Sequence, residues 1–524
     1  MFSKIISGSI HGVASNIVHV EVDVGFGIPS FDMCGFLSTE AKEAKERVRV
    51  AIKNAGIILK PQKISVNVSP ADIRKEGTGL DFPIAIGVLA ANGLIEETVL
   101  EKTFIMGELS LDGAINPVKG ILPSICMAKE YGCEICLVPQ ANASEGSAVH
   151  GIRVYGISKL SEAIGFINGT KKLEPVPHMS YDEVTKMSEA EANVDYAEIR
   201  GQQAAKRATL IAAAGMHNLM YIGSPGSGKT MMAKRVSTIL PPLSFEESLE
   251  ISKIYSIAGL LDSKHALLTE RPFRSPHHTV TSTALIGGGR IPIPGEITLA
   301  GKRVLFLDEL TEFRMPTVEA LRQPLEEKKV TVVRLNAAYT YPADFMLVAA
   351  INPCKCGYYP DRNRCNCSEH DIKRYLGKIS QPFWDRFDIC VETSRMQFAD
   401  FDDQDGKNTI DRVTKSTQKL YNSTTMRETI QSALQVQKER YKGTKIKLNS
   451  ELTNSEIKKY CEIGIEEKKL LERAFTKLNM TARGYYKILK TARTIADIEQ
   501  CDYINCDHLG EAISYRGYDT LIHV

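Results

Sequence analysis

Eight consecutive residues, Gly223-Ser224-Pro225-Gly226-Ser227-Gly228-Lys229-Thr230, match G-x-x-x-x-G-K-[ST] without a mismatch. Such a run can cradle phosphates. Its glycines let backbone N–H groups turn inward, and the positive end of a following helix adds to the attraction. Lys229 would reach the β and γ phosphates of a nucleotide, and the Thr230 hydroxyl would coordinate Mg²⁺. The run lies between an apolar stretch, Asn218–Ile222, and a helix-forming one, Thr230–Leu240, which is the strand–loop–helix context this chemistry needs. Val304-Leu305-Phe306-Leu307-Asp308-Glu309 supplies the complement. Four apolar residues predict a central buried strand, with both acids emerging at its carboxyl end, where ligands bind in open α/β sheets. Paired carboxylates are costly to bury without a partner. Asp308 is therefore expected to hold Mg²⁺ through water, and Glu309 to orient the attacking water. ATP and Mg²⁺ are the expected ligands. A chance glycine loop or a surface turn explains either motif alone, but not both together.

A second constellation is Cys354-x-Cys356 and Cys365-x-Cys367, joined by eight residues rich in Gly, Tyr, Pro, Asp and Asn. Four thiols across a polar loop can surround one Zn²⁺ tetrahedrally. The C-x-C spacing is tighter than the usual C-x₂-C, and free thiols in a loop are the alternative. Lying just after Asn352, the loop could brace the edge of the site or touch DNA. Cys133 and Cys136 form a C-x-x-C among apolar neighbours with no second pair, which points to burial.

The elements that must position these residues are spread over a long chain. At 524 residues it exceeds one hydrophobic core, so two to four domains are expected. With 43% hydrophobic and 24% charged residues the composition is that of a soluble globular protein. No apolar run reaches the ~18 residues of a membrane span, and the start MFSKIISGSIHG is no signal peptide. A cytoplasmic location and no membrane partner are expected. A net charge of +2 gives no global basic field, so nucleic acid would have to meet local patches.

Residues 1–170 read as an α/β unit, with strands at Ile17–Val24 and Ile64–Val68, a helix over Thr39–Ala55 and a buried helix at Phe82–Ala91. Residues 171–194 are acidic, carry two prolines and lack periodicity, which predicts a linker. From 195 to 393 helices and strands alternate, predicting a parallel sheet covered on both faces. Residues 394–524 turn helical after a polar stretch at Asp400–Asn408.

Further along, Phe345–Ile351 predicts another buried strand ending in Asn352, which resembles the sensor-1 position of AAA+ proteins. Ser380–Asp388 (SQPFWDRFD) resembles their arginine-finger segment, in which Arg386 would enter a neighbouring subunit's site. Arg483, in Thr481-Ala482-Arg483-Gly484, resembles the sensor-2 arginine of the helical lid. Fingers acting between subunits imply a ring, and a homo-hexamer is expected.

Longer stretches are similar to one family, the magnesium-chelatase-like AAA+ proteins known as YifB or ComM. They are Lys75–Ala90, Gly107–Gly120, Arg271–His278, Leu321–Glu326, Asn352–Tyr359 and Ala492–Asp497, so the resemblance covers nearly the whole chain. It implies an α/β multidomain fold: a degenerate Lon-protease-like (ribosomal S5 domain 2-like) N-terminal domain, an AAA+ P-loop NTPase core with the cysteine insertion, and a helical C-terminal lid of the magnesium-chelatase type. It also implies a hexameric helicase acting in branch migration during natural transformation, on branched or single-stranded DNA. Aligned with the Lon motifs, Gly79 stands where the serine nucleophile belongs and Leu122 where its lysine belongs, so the protease is expected to be lost. The resemblance further marks Glu327–Asp344, with Lys328, Lys329 and Arg334, as a hairpin that could contact DNA phosphates, a solvated hairpin being the alternative. Thr279–Glu296, with three consecutive glycines, is expected to be a flexible pore loop. His277 and His278 receive no ligand role. Other readings are a chelatase motor subunit, an ATP-dependent protease and a protein-remodelling chaperone. No D-x-S-x-S stretch supports the first, and Gly79 and Leu122 oppose the second.

Overall fold

The computed structural model describes residues 1–189, 194–262, 267–289, 292–302, 304–334, 337–395, 421–478 and 480–517. The stretch Asp400–Asn408 lies outside the described residues.

The amino-terminal part is built on a mixed seven-stranded sheet. Its strands are β1 (Phe2–His11), β2 (Ala14–Gly25), β3 (Ser30–Cys34), β4 (Lys63–Ser69), β5 (Thr103–Ile105), β6 (Ile135–Pro139) and β7 (Arg153–Ile157), in the order β3-β4-β2-β1-β5-β6-β7. Valines 18, 20 and 22 face the core from β2, as strand alternation requires. The helix expected over Thr39–Ala55 is broken. A four-residue turn, Thr39–Lys42, ends at Glu43, and α1 (Ala44–Asn54) begins afresh. Every residue of α2 (Asp81–Ala91) is buried, matching its unbroken apolar sequence. Helix α3 (Ile121–Tyr131) closes this part and packs on helix α6, introduced below.

The expected linker is partly helical. Helix α4 (Tyr181–Glu189) forms, Val184 is buried, and the Tyr181 hydroxyl donates to the Leu243 carbonyl at 2.7 Å. Two anchoring side chains, too few to show as periodicity, hold it to the following part.

That part is a five-stranded, all-parallel sheet. Its strands are β8 (Leu219–Gly223), β9 (Phe273–Arg274), β10 (Val304–Leu307), β13 (Met346–Ile351) and β14 (Ile389–Thr393), in the order β9-β10-β13-β8-β14. Between β10 and β13 the chain makes an antiparallel hairpin of β11 (Lys329–Arg334) and β12 (Ala337–Pro342). Helix α5 (Gln203–Gly215) precedes β8. A further helix follows β8 directly (Lys229–Ile239), and α6 (Phe245–Ala258) comes next. One face of the sheet is covered by α5, the Lys229–Ile239 helix and a carboxyl-terminal bundle of α7 (Ser423–Arg440), α8 (Ile465–Lys477), α9 (Ala482–Ile498) and α10 (Cys506–Ser514), which share a single apolar core.

Inside the bundle the buried Asp497 carboxylate takes Arg440, Arg493 and the Asn449 amide at once. This explains the Ala492–Asp497 stretch as a structural ion cluster: a buried charge is tolerated when paired and hydrogen bonded.

The glycine stretch expected to be an open loop is largely packed. Helix Ser282–Ile286 buries Leu285, Gly287 and Gly288 pair with Pro294 and Ile293, and helix Glu296–Leu299 buries Ile297. Spaced apolar residues anchor it despite the glycines.

Candidate active site

The carboxyl ends of β8, β13 and β10 lie side by side, and each delivers one element of the candidate site. From β8 comes the loop Gly223–Gly228, in which Gly226 and Gly228 adopt left-handed φ of 75° and 87°. Only such residues let the backbone wrap inward without a Cβ penalty. Ser227 is fixed from behind by the Thr393 hydroxyl at 2.7 Å, at the end of β14. The loop delivers Lys229, whose Nζ donates to the Gly223 carbonyl at 2.7 Å, the Ser224 carbonyl at 2.9 Å and the Asn352 Oδ1 at 3.2 Å. Burial lowers the Lys229 pKa to about 8 against the opposing pull of Asp308 and Glu309. From β10 comes Asp308, which accepts from the Thr230 hydroxyl at 2.7 Å and from the Glu309 N–H at 3.0 Å. Glu309 is exposed and held at φ 51°. A cation buried among acceptors, a hydroxyl beside a carboxylate and a free second acid fit the β- and γ-phosphates of a nucleotide with its Mg²⁺.

Gln202 was not legible as a contributor. It sits at φ 58° before α5, and its amide group bridges the chain, donating to the Ser227 and Ser394 carbonyls and accepting from the Ser394 N–H. His277 and His278 follow β9, next to the carboxyl end of β10, with ring centres 4.0 Å apart and the planes tilted by 35°. Only strand order reveals that neighbourhood.

Arg386 and Arg483 are placed elsewhere. The Asn218 amide, one residue before β8, donates to the Arg386 carbonyl at 2.9 Å. Asn218, Phe345 and Asp388, which precede β8, β13 and β14, line the same cavity of about 630 Å³ as both arginines. The arginines therefore lie at the amino ends of the strands, a full strand (roughly 16 Å) from the glycine loop of their own chain. The Arg386 guanidinium is folded inward onto Glu326 at 2.5 Å and the Pro382 carbonyl, with its Nε buried and unpartnered among the described residues. Burial lowers its pKa, Glu326 opposes this, and Arg483 and Arg322 add to the lowering. Arg483 also reaches Glu326, at 3.3 Å. Lys487 and Lys490 from α9, and Lys328, add positive charge to a lining that also carries Glu326, Asp385, Asp388 and Glu451.

In the amino-terminal part the Lon-like positions hold no dyad. Gly79 bonds through its carbonyl to the Gly107 N–H, and the fully buried Leu122 donates its N–H to the Glu145 carboxylate at 3.0 Å. Glu145 also accepts from the Ser256 hydroxyl of α6, tying this part to the nucleotide-loop part. Just before the β11–β12 hairpin, Lys328 is engaged by Asp344 and Glu451, and within it the Tyr339 ring lies 4.6 Å from that of His11 of β1, tilted by 33°. The four cysteines are brought together, every pair of sulfurs within 4.8 Å.

A parallel sheet in which β13 stands between the glycine-loop strand and the acid strand, with Asn352 at its end, defines an AAA+ P-loop ATPase. The model of magnesium chelatase, subunit ChlI, matches residues 195–401; two further models of that subunit match residues 20–142 and, for its C-terminal region, 421–516. The chain is 38% identical over 511 residues to the competence protein ComM of Haemophilus influenzae, covering 98% of this chain and 96% of that protein. It is 39% identical over 512 residues to YifB of Escherichia coli, with the same coverage. A shorter match, 26% identical over 127 residues, relates 24% of the chain to 22% of Lon protease 2 of Bacillus subtilis. The chain belongs to the magnesium-chelatase-like AAA+ family of YifB and ComM, and that membership implies ATPase activity. Among the described residues no helix is long and apolar enough to cross a membrane.

Proposed function

We propose that the protein is a ring-forming ATPase that moves DNA strands, with each nucleotide site completed by the neighbouring subunit. The observation that carries the ring is the separation of Arg386 and Arg483 from their own glycine loop, at the opposite end of the strands, which suits contact with the phosphates of another chain. In this reading the loop Gly223–Gly228 and Lys229 bind the phosphate chain, while Thr230 and Asp308 hold Mg²⁺. The metal would neutralise charge developing between the β and γ phosphates. Glu309 orients the attacking water, and Asn352, already hydrogen bonded to Lys229, registers the γ-phosphate. A neighbour's Arg386 and Arg483 stabilise the negative charge that builds up during transfer.

DNA as the track is supported by the relative named a competence protein, competence being the uptake of DNA, and by the exposed Lys329 on the β11–β12 hairpin. The amino-terminal part acts as an assembly platform, its Lon-like protease lost at Gly79 and Leu122. An ATP-dependent strand-exchange assay on four-way DNA junctions, with Lys229→Ala as control, tests this reading. Products that need both ATP and Lys229 support it. Junctions left intact by a protein that still hydrolyses ATP would remove DNA as the track.

A further inference from the structure

Residues 353–368 are a loop poor in aliphatic side chains, Pro-Cys-Lys-Cys-Gly-Tyr-Tyr-Pro-Asp-Arg-Asn-Arg-Cys-Asn-Cys-Ser, which meets the apolar core around Leu307 and Ile351 through Cys354, Cys356, Tyr359, Cys365 and Cys367. It touches three parts of the nucleotide site. At its start, Asn352 accepts from Lys229. Within it, the buried Gly357, at φ +82°, lies so close to the glycine loop that an added Cβ would sit 2.5 Å from the Pro225 ring. At its far end the helix Glu369–Leu376, capped by Ser368, presents Tyr375, whose hydroxyl bonds to that of Thr311 at 2.7 Å, two residues past Glu309. Four of these five core contacts are cysteines, so whatever holds the sulfurs together bears directly on the brace.

Cys354 and Cys365 are buried, and Cys356 and Cys367 are half-buried. Sulfur separations are 3.3 Å (Cys354–Cys356), 3.7 Å (Cys354–Cys365) and 3.6 Å (Cys356–Cys365). A disulfide needs about 2.05 Å, so these are not bonded pairs. Tetrahedral thiolates at ~2.3 Å from one zinc ion stand ~3.8 Å apart, close to the two longer of these separations. An iron–sulfur cluster, whose bridging sulfides spread its ligands, needs a wider cage. All-thiolate ligation favours a soft or borderline ion and excludes Mg²⁺ and Ca²⁺.

We propose that Cys354, Cys356, Cys365 and Cys367 bind one Zn²⁺, and that this ion braces the nucleotide loop so that ATP binding depends on it. The proposal rests on the nucleotide-site reading above. The metal closes the loop around a rigid centre, and the rigid loop holds Gly357 against Pro225 and Asn352 beside Lys229. Without the ion the four thiols lose their shared centre, and the wall of the glycine loop loosens.

The test measures metal content and nucleotide binding separately on the full chain. Elemental analysis of protein purified without added metal, and colorimetric detection of zinc released by a mercurial, are expected to give about one zinc per chain. Cys356→Ser and Cys367→Ser should lose it. Stripping zinc from the unaltered protein should weaken binding of a fluorescent ADP analogue at least tenfold, with recovery on adding zinc. Gly357→Ala provides a variant that leaves all four ligands in place: it should keep zinc and still bind nucleotide at least tenfold more weakly. Zinc near zero in protein that binds nucleotide tightly, iron in place of zinc, or zinc-free protein with unchanged nucleotide affinity each overturns the proposal. One zinc per chain with no nucleotide binding under any condition overturns the nucleotide-site reading, and the brace with it.

Discussion

Arg386 and Arg483 converge on a single oxygen of Glu326, at 2.5 and 3.3 Å, at the amino ends of the parallel strands. In the isolated chain both cations are held by one carboxylate. In the proposed ring, a neighbour's phosphates entering the cavity would have to displace Glu326. Removing it should therefore free the arginines: Glu326→Gln is expected to alter ATP turnover without changing nucleotide affinity. A steady-state ATPase titration checks this, and a change in KM alone would contradict it.

Lys229 gives a pH prediction. Burial holds its pKa near 8 in the nucleotide-free protein, while bound phosphates favour the charged form. Above pH 8 the free protein must take up a proton to bind. Affinity should be flat below pH 7.5 and fall about tenfold per pH unit above 8. Titration with a fluorescent ATP analogue from pH 6.5 to 9.5 measures this, and Lys229→Ala should bind weakly with no such break.

The structure makes a second pH prediction, at the junction of sheet and bundle. His217 is fully buried, donates to or accepts from the Thr494 hydroxyl at 2.7 Å, and has its pKa lowered to about 4, chiefly by burial. Its neutral form is the folded one. Its contribution is fully present above pH 6.5, the unfolded value, and is lost as pH falls towards 4. The slope is about 1.4 kcal/mol per pH unit, roughly 3 kcal/mol over the window. Urea unfolding followed between pH 7 and 4.5 should show that slope, and His217→Gln should reduce it.

Asp497 is the charge on which the bundle's polar core turns. Asp497→Ala leaves Arg440 and Arg493 facing each other without a counter-charge. Breaking a buried pair on one side costs about 3–5 kcal/mol, so a clear fall in melting temperature is expected by calorimetry. Because the bundle shares its apolar core with α5 and the helix after the glycine loop, nucleotide binding should weaken as well.

How legible was all this in the sequence? The glycine loop and the acid strand were, because their chemistry depends on contiguous spacing and on strands whose burial is written in unbroken apolar runs. The cysteines were legible as a set for the same reason. What their loop leans on was not, since Gly357 meets Pro225 from a distant part of the chain. Gln202 was invisible because its partners, Ser227 and Ser394, are joined to it only by the sheet. Arg386 could be read as a finger from its motif, but its inward fold onto Glu326 could not. The single helix expected over Thr39–Ala55 failed at Glu43, and the linker over 171–194 hid a helix anchored by Tyr181 and Val184. For the second, the Tyr181 hydrogen bond to the Leu243 carbonyl is a contact no local pattern shows.

The proposed sharing of the site is tested most directly by mixing two inactive variants. Lys229→Ala keeps the arginines but should bind nucleotide only weakly, and Arg386→Ala keeps the nucleotide loop but lacks the proposed finger. Each alone should hydrolyse ATP at least a hundredfold more slowly than the unaltered protein. Mixed in equal amounts before nucleotide is added, they should recover about a quarter of the sites, because an intact loop then meets an intact finger at one interface in four. ATPase activity that returns on mixing is the result predicted here. A mixture no faster than its components, or an Arg386→Ala protein that hydrolyses ATP normally, would contradict it.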